Sequence, residues 1–227
     1  MTELSGAHVL VVGATGVLGA ELSRQLAAQG ARLTLSGRSE DKLGGLAEEL
    51  GEAVVGRVAA DLGKPTGPAD IAAAVYGREL DGLVFASGVV AFGPATEVDD
   101  DTLDELMLVN LLGYMRLVRA VAPSLGKDSF IAQISAVVAE SPTAGMAAYS
   151  ATKAGLSAYG KALTLELRRQ GVRVLDARPP HTETGLATRP IAGEAPRLPP
   201  GKDPVAVAGR IVSAIRGGER DLASSAF

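Results

Sequence analysis

The chain has 227 residues, 47% of them hydrophobic and 21% charged, with a formal net charge of -4, which suits one compact domain with a sizeable core. Mild acidity without clustered Lys and Arg argues against nucleic acid or an anionic membrane as partner and for small-molecule chemistry. No cysteine is present, which excludes disulfides, thiolate metal sites and cysteine nucleophiles.

The first eight residues carry Glu3 and lack the basic start and apolar middle of a secretory signal. No uninterrupted apolar run approaches the ~20 residues that span a bilayer. A cytoplasmic protein is expected.

Val9 to Val12 form a short apolar run ending at Gly13, and Leu18, Leu22 and Leu26 then recur every four residues until Gly30. This reads as strand, turn and helix. Strands are predicted next over residues 32–36 and 53–59 with a helix over 39–50 between them, then a weaker helix over 69–76 and a buried strand over 82–86. A long helix over 101–121, a strand over 130–134, a helix over 147–170 and a strand over 172–177 follow. Strands alternating with helices predict a parallel sheet covered on both faces, with right-handed crossovers. Seven prolines between Pro179 and Pro204 rule against a long helix there, and a loop of that length is often a lid. Val205, Val207, Ile211, Val212 and Ile215 resume a helical pattern before a short polar tail. Neither short-period repeats nor low-complexity tracts occur.

Gly13-Ala14-Thr15-Gly16-Val17-Leu18-Gly19 lies where the first strand turns into the first helix. That context makes a glycine pattern a dinucleotide hypothesis, because glycines permit close backbone approach and the helix N-terminus offers free amides to a pyrophosphate. At the end of the second strand an acidic residue would accept from both ribose hydroxyls. Here Ser36-Gly37-Arg38-Ser39 offers a guanidinium in its place, which suits a 2′-phosphate and favours NADP over NAD. The plainer reading of Arg38 is a solvated charge beside a helix-capping Ser39.

Tyr149 and Lys153 are four residues apart at the start of a long helical run, so they share one face about 6 Å apart. Alone, such a pair is an ordinary solvated helix face. Beside a nucleotide pocket it suits proton transfer, since a nearby ammonium favours the phenolate and brings a phenol of ordinary pKa ~10 toward neutrality. Asn110 interrupts Leu106, Met107, Leu108, Val109, Leu111 and Leu112, and an amide buried there is costly unless hydrogen-bonded.

The glycine turn, Asp61 after the third strand, Asn110 in the long helix, and Tyr149 with Lys153 together resemble the short-chain dehydrogenases/reductases, from about Ala7 to Leu186. The resemblance implies a single Rossmann-type domain, a doubly wound parallel α/β sheet, that works on a small-molecule carbonyl or alcohol; the long helices around Asn110 and Tyr149 form a pairing surface in the family, which leaves a homodimer or a homotetramer open. It also implies that Tyr149 is the catalytic acid or base, that Lys153 holds the nicotinamide ribose and lowers the Tyr pKa, and that Asn110 supports a water relay to Lys153. Gly13, Thr15, Gly16, Val17, Leu18 and Gly19 would cradle the dinucleotide, with Arg38 and Ser39 at the adenosine ribose. Asp61 and Leu62 would flank the adenine, and the segment from Pro179 through Thr182 to Thr184 would pass the nicotinamide.

Several positions depart from the family pattern. Counting back thirteen residues from Tyr149, where the family places a substrate-binding Ser, lands on Ala136, with Ser135 beside it. A one-residue offset turns a strand side chain to the other face unless a bulge or a shorter following loop restores it, and Ser135 is taken as the functional serine on that condition. Phe85-Ala86-Ser87-Gly88 stands where Asn-Asn-Ala-Gly is usual, with Ala86, Ser87 and Gly88 still expected against the cofactor. Pro180 replaces a glycine after Pro179. The glycine spacing is nearer that of the family's extended members, although the length fits the shorter branch. His8 is expected as a partly exposed sheet residue and His181 as a solvated lid residue, with too few ligands for a metal.

These features point to an NADP(H)-dependent oxidoreductase. One alternative is a cofactor-binding regulator on the same fold, suggested by Ala136 and the altered 85–88 segment. The other is an epimerase or dehydratase that recycles its cofactor, suggested by the glycine spacing.

Overall fold

The computed structural model describes residues 2–227. Strands β1 (His8–Val12), β2 (Arg32–Gly37), β3 (Val54–Ala59), β4 (Leu80–Phe85), β5 (Leu125–Ile134), β6 (Arg173–Ala177) and β7 (Asp221–Leu222) form one sheet in the order β3-β2-β1-β4-β5-β6-β7. All adjacent pairs are parallel. The connecting helices are α1 (Val17–Ala28), α2 (Glu40–Leu50), α3 (Gly67–Ala74), α4 (Asp100–Met107), α5 (Gly113–Val121), α6 (Ala147–Leu167) and α7 (Pro204–Gly217).

Strand alternation divides the core into two layers. Val9, Val11, Leu33, Leu35, Ala132 and Ile134 pack against Leu22 and Leu26 of α1, Leu43 of α2 and Ile211 of α7. Their neighbours Leu10, Val12, Phe85 and Ile131 face Ile71 of α3, Leu117 of α5 and Leu156 of α6. Leu22 and Leu26 are fully buried, and each contributes roughly 1.5–3 kcal/mol of transfer free energy.

β1 runs between β2 and β4, so the crossovers leave it in opposite directions. At such a switch point the loops beyond the strand C-termini open a crevice, the usual ligand position in an open α/β sheet.

The expected strands and helices are all present, with four differences. The long 101–121 helix is broken by a π-helical turn at Leu108–Leu112, which carries Asn110. The stretch Asp100–Ser124 is by length and composition apolar enough to cross a membrane, yet half of its most apolar window is buried inside the fold. β5 starts at Leu125, before the apolar run that signalled it, with a register shift opposite Leu80 to Gly82. The tail after α7 adds β7, whose two residues pair with Asp176 and Ala177. His8, expected to be partly exposed, is buried, with Nδ1 3.1 Å from the Glu79 carbonyl and Nε2 2.9 Å from Thr34 Oγ1.

The proline-dense loop has no long helix; it is tied at its middle to the segment after β4 and, near its two ends, to itself. Ala91 bridges to Ala192 and Thr182 to Lys202. Ile191 N–H donates to the Val90 carbonyl at 2.9 Å, and Phe92 N–H to the Ala192 carbonyl at 3.0 Å.

Candidate active site

The crevice beyond β1 and β4 is a cavity of about 670 Å³, within the usual size of small-molecule sites. Its walls include Gly13, Thr15, Gly16, Val17, Leu18, Gly19, Arg38, Ser39, Asp61, Leu62, Ala86, Ser87 and Gly88, together with Ser135, Tyr149, Lys153, Pro179, Thr182 and Thr184. Residues spread over more than 170 positions of sequence are thus brought to one place. Asn110 does not line it but lies directly behind.

At one end, the turn from β1 into α1 is built so that only glycine fits. Gly13 has φ +86°, and a Cβ there would lie 2.6 Å from the Ser87 nitrogen; a Cβ on Gly19 would lie 2.1 Å from the Gly13 carbonyl oxygen. Both obstacles are backbone, so they cannot move aside cheaply. The N-cap of α1 is Gly16, with no side-chain cap, which leaves the first amides of the helix free to donate to an anion.

At the end of β2, Ser36 Oγ is buried and has no hydrogen-bond partner among the described residues. Ser39 caps α2, accepting from Lys42 N–H at 3.3 Å. Arg38 is exposed at the cavity wall, and Lys42 lines the same wall. Among the described residues neither has a carboxylate partner. Lys42 was missed in the sequence; its signal is that it follows the capping Ser39 by three positions and so returns toward Arg38. Asp61 Oδ1 accepts from Gly63 N–H at 3.0 Å, which shapes the turn after β3.

Asn110 is fully buried and all its polar atoms are engaged. Its Oδ1 accepts from Val89 N–H at 2.8 Å, and its Nδ2 donates to the Val89 carbonyl at 2.9 Å and to Thr152 Oγ1 at 3.2 Å. The amide therefore clamps the segment after β4 to α6. A Cβ on Gly88 would meet Asn110 Oδ1 at 3.2 Å and Lys153 Nζ at 3.3 Å, so these groups converge on one backbone position. A π turn is a frequent feature of functional sites.

Tyr149 and Lys153 lie on the first turns of α6, with Nζ 5.8 Å from the centre of the phenol ring. Nζ donates to the Ile134 carbonyl at 3.0 Å. Burial lowers the Lys153 pKa to about 8, and the Asp176 carboxylate acts against that shift. The expectation of a phenol brought toward neutrality is reversed here, because burial pushes Tyr149 above its ordinary value. The reason is desolvation, which penalises the phenolate more than an ammonium nearly 6 Å from the ring centre can offset.

Ser135 lines the cavity with Tyr149, but its hydroxyl is engaged by a carboxylate. Its Oγ donates to Asp176 Oδ1 at 2.6 Å, on the same side of the sheet as Gln133, whose Nε2 reaches that carboxylate oxygen at 3.2 Å. Ala136 packs in the apolar cluster that contains Tyr149. No bulge offsets the last residues of β5, where Gln133 pairs with Asp176 and Ile134 with Ala177 in step, so strand alternation decides the outcome. Nothing in the spacing foretold the Asp176 partner.

The lid supplies Leu186 and Ile191 to that cluster. His181 Nε2 is 3.6 Å from Glu183 Oε1, and Glu183 accepts from Gly201 N–H. Among the described residues no group of three His, Asp or Glu side chains could hold a metal ion.

A family model described as short chain dehydrogenase matches residues 7–194. An uncharacterized oxidoreductase of Methylorubrum extorquens is 32% identical over 206 residues, covering 85% of this chain and 80% of its own. Among solved structures, a short-chain dehydrogenase from Sphingobium yanoikuyae in complex with NADPH is similar with a TM-score of 0.86 at 27% identity, covering 96% of this chain and 87% of that one. A short chain dehydrogenase/reductase from Burkholderia phymatum in complex with NAD reaches a TM-score of 0.88 at 22% identity, covering 99% and 90%. This last likeness is one of fold.

Proposed function

Because the chain belongs to the short-chain dehydrogenase/reductase family, we propose that it is an NADP(H)-dependent oxidoreductase acting on a carbonyl or secondary alcohol, with Tyr149 as the proton donor and acceptor. The observation that carries this reading is the presence of Tyr149 and Lys153 in the same cavity as the glycine turn and Arg38. When bound, the dinucleotide supplies or accepts the hydride. The chain's own contribution is to bind it, orient the substrate and move one proton.

In this reading the free amides of α1 and the close approach allowed at Gly13 hold the pyrophosphate. Arg38, with Lys42 beside it, holds the 2′-phosphate, and the unpartnered Ser36 Oγ offers one further hydrogen bond at the ribose. Asp61 and Leu62 border the adenine. Lys153 binds the nicotinamide ribose, and Asn110 keeps the 88–89 backbone in register against it. Ala136 leaves the polarisation of the substrate oxygen to Tyr149. The exposed apolar side chains Leu103 and Met107 of α4 and Leu165 of α6 support pairing between copies of the chain through these helices.

Two measurements bear on cofactor binding. Calorimetry is expected to find tighter binding of NADPH than of NADH. Arg38→Ala is expected to weaken NADPH about tenfold and leave NADH nearly unchanged, since one charge-assisted hydrogen bond is worth about 1.5 kcal/mol at an exposed site. Equal losses for both dinucleotides would remove the 2′-phosphate assignment.

The second concerns protons. Free Lys153, with its pKa lowered to about 8, is half charged near that pH, and hydrogen bonds to ribose oxygens favour its ammonium form. NADPH binding is therefore expected to take up as much as about half a proton at pH ~8, where the 2′-phosphate, with a second pKa of about 6, is already fully ionised and contributes almost nothing. Calorimetry in buffers of different ionisation enthalpy measures this directly. Proton release would contradict the role given to Lys153.

A second reading, a dinucleotide-binding protein without turnover, is favoured by Ala136 in the apolar cluster beside Tyr149. It predicts NADPH binding with no oxidation across a broad carbonyl panel, whereas the oxidoreductase reading predicts NADPH consumption matched by alcohol formed.

A further inference from the structure

Tyr149 stands in a wall of uncharged side chains. Val89, Val90, Phe92 and Val138 are buried in one cluster with it, and Ala136, Met146, Leu186 and Ile191 pack onto that cluster. These residues come from three separated parts of the chain: the segment after β4, the stretch between β5 and α6, and the lid.

The wall is also fixed in place. The lid pairs with the 90–92 segment through Ile191 N–H to the Val90 carbonyl and Phe92 N–H to the Ala192 carbonyl. Gly193 has φ +71°, and a Cβ there would lie 1.9 Å from the Phe92 carbonyl oxygen, so this close approach depends on glycine. Two backbone hydrogen bonds thus hold Ile191 over the side of the cavity that Tyr149 lines. The apolar surface belongs to the folded chain and does not wait for a ligand to assemble it.

The charged groups nearby are already engaged. The Arg189 guanidinium lines the cavity and is exposed, without a carboxylate partner among the described residues, but it is turned to the lid's own backbone, donating from Nε to the Gly185 carbonyl at 3.0 Å and from Nη2 to the Thr184 carbonyl at 3.3 Å. His181 faces Glu183, whose carboxylate accepts from Gly201 N–H at 2.6 Å. Arg197 lines an adjoining cavity within the lid, which shares His181, Ala187, Pro196 and Leu198 with the main one but is not lined by Tyr149. Lys153 Nζ is turned to the Ile134 carbonyl and, on the reading above, to the cofactor ribose. A substrate carboxylate or phosphate beside the reacting carbon would lose its water among the apolar side chains of the Tyr149 cluster, which includes no cation, a strongly unfavourable exchange.

We propose that the chamber between the 89–92 segment and the lid residues Leu186 and Ile191 selects an uncharged, predominantly apolar carbonyl compound and rejects 2-oxo acids, with Tyr149 as the polar group that meets the substrate oxygen. The proposal rests on the oxidoreductase reading and names its substrate class.

The matched probes are benzylacetone and benzylpyruvate, which differ in a methyl group against a carboxylate next to the carbonyl. Both are titrated into NADP-loaded protein, and their turnover with NADPH is measured separately. Binding of benzylacetone is expected to be at least about tenfold tighter than that of benzylpyruvate, with a similar or larger preference in kcat/KM. Ile191→Lys places an ammonium at a half-buried position of the lid, and is expected to shrink or reverse the preference while NADP affinity stays within about twofold. Leu186→Arg tests the same wall should the first variant lose NADP binding and so report misfolding. Tighter binding of benzylpyruvate to the unaltered protein, or an unchanged preference in a folded variant, overturns the proposal. Absence of turnover with both compounds, accompanied by the expected binding preference, supports the chamber and instead counts against the reductase activity.

Discussion

Tyr149→Phe is expected to lower carbonyl turnover by about 10²–10⁴-fold, the range for losing a positioned general acid, while NADPH affinity and stability change little. The phenol is 7% exposed, and Phe keeps its ring and packing. Burial raises the phenol pKa, and among the described residues none hydrogen-bonds the hydroxyl, so removing it strands no protein partner. This separates a chemical role from a structural one, because a packing residue would lose stability and a binding residue would lose cofactor affinity. Steady-state kinetics, calorimetry with NADPH and thermal unfolding on the one variant make the comparison. Activity within a few-fold of the parent protein would remove Tyr149 from the proton transfer.

The direction of the pKa shift adds an expectation about pH. A phenol held above its ordinary value keeps its proton through neutral pH, so the reductive direction, which needs a donor, is expected to be nearly flat there. Alcohol oxidation needs the phenolate and is expected to rise toward alkaline pH. Dinucleotide binding that restores charge on Lys153 pulls the phenol back down, so the rise begins at lower pH in the complex than burial alone would set.

Arg178→Ala is expected to produce the largest loss of stability, about 3–5 kcal/mol, the usual cost of removing one partner of a buried ion pair. For a chain of this size that corresponds to a fall in Tm of roughly 6–20 °C. Arg178 and Asp176 are 6% and 4% exposed, and Nη1 donates to Asp176 Oδ2 at 2.8 Å. The same guanidinium bonds Glu140, in the segment between β5 and α6, and Asp221 of β7. Glu140 in turn accepts from Ser224 N–H at 3.2 Å. One side chain therefore ties the last strand and the polar tail to the stretch that follows Ser135.

Without Arg178, Asp176 keeps only Ser135 and Gln133 as hydrogen-bond donors, and one carboxylate oxygen is left buried and bare. The contact to Asp221, which is 64% exposed, adds little because solvent screens it. Denaturant unfolding of Arg178→Met, Asp176→Asn and the double variant apportions the effect. The double variant is expected to recover most of the stability lost by Arg178→Met, since it removes the stranded charge as well. Equal losses in single and double variants would show that packing, not charge, is the source.

Elements with strong local periodicity were legible in the sequence, and those defined by pairing were not. Leu18, Leu22 and Leu26 mark α1 without help from the rest of the chain. β7 is two residues long and exists through its pairing with β6, so no local pattern announces it. The first part of β5, Leu125 to Ser129, carries Lys127 and Asp128 and lacks a strand's apolar run. The π turn at Asn110 was hidden because its residues are as helix-compatible as their neighbours; the amide's pull on Val89, from elsewhere in the fold, accompanies it.

The residues of the candidate site follow the same division. Gly13, Gly16, Gly19, Arg38, Asn110, Tyr149 and Lys153 were nameable from order and spacing, because each belongs to a motif whose geometry is set within a few residues of backbone. The state of those groups was decided by tertiary structure. Spacing places an ammonium near a phenol, but desolvation depends on what covers them, and burial turned both pKa values away from the isolated pair's behaviour. Spacing left Ser135 and Ala136 as competitors; the in-step register of β5 with β6, and the carboxylate of Asp176 on one face, sent the hydroxyl to Asp176 and Ala136 against the apolar cluster that contains Tyr149. Sequence by itself determined which elements and motifs this protein has, since these depend on neighbours along the chain. Which way their side chains face, and in what dielectric, depended on contacts between residues far apart in the chain, as in the hydrogen bond from Thr2 Oγ1 to the Ile215 carbonyl across 213 positions, and only the assembled fold sets those.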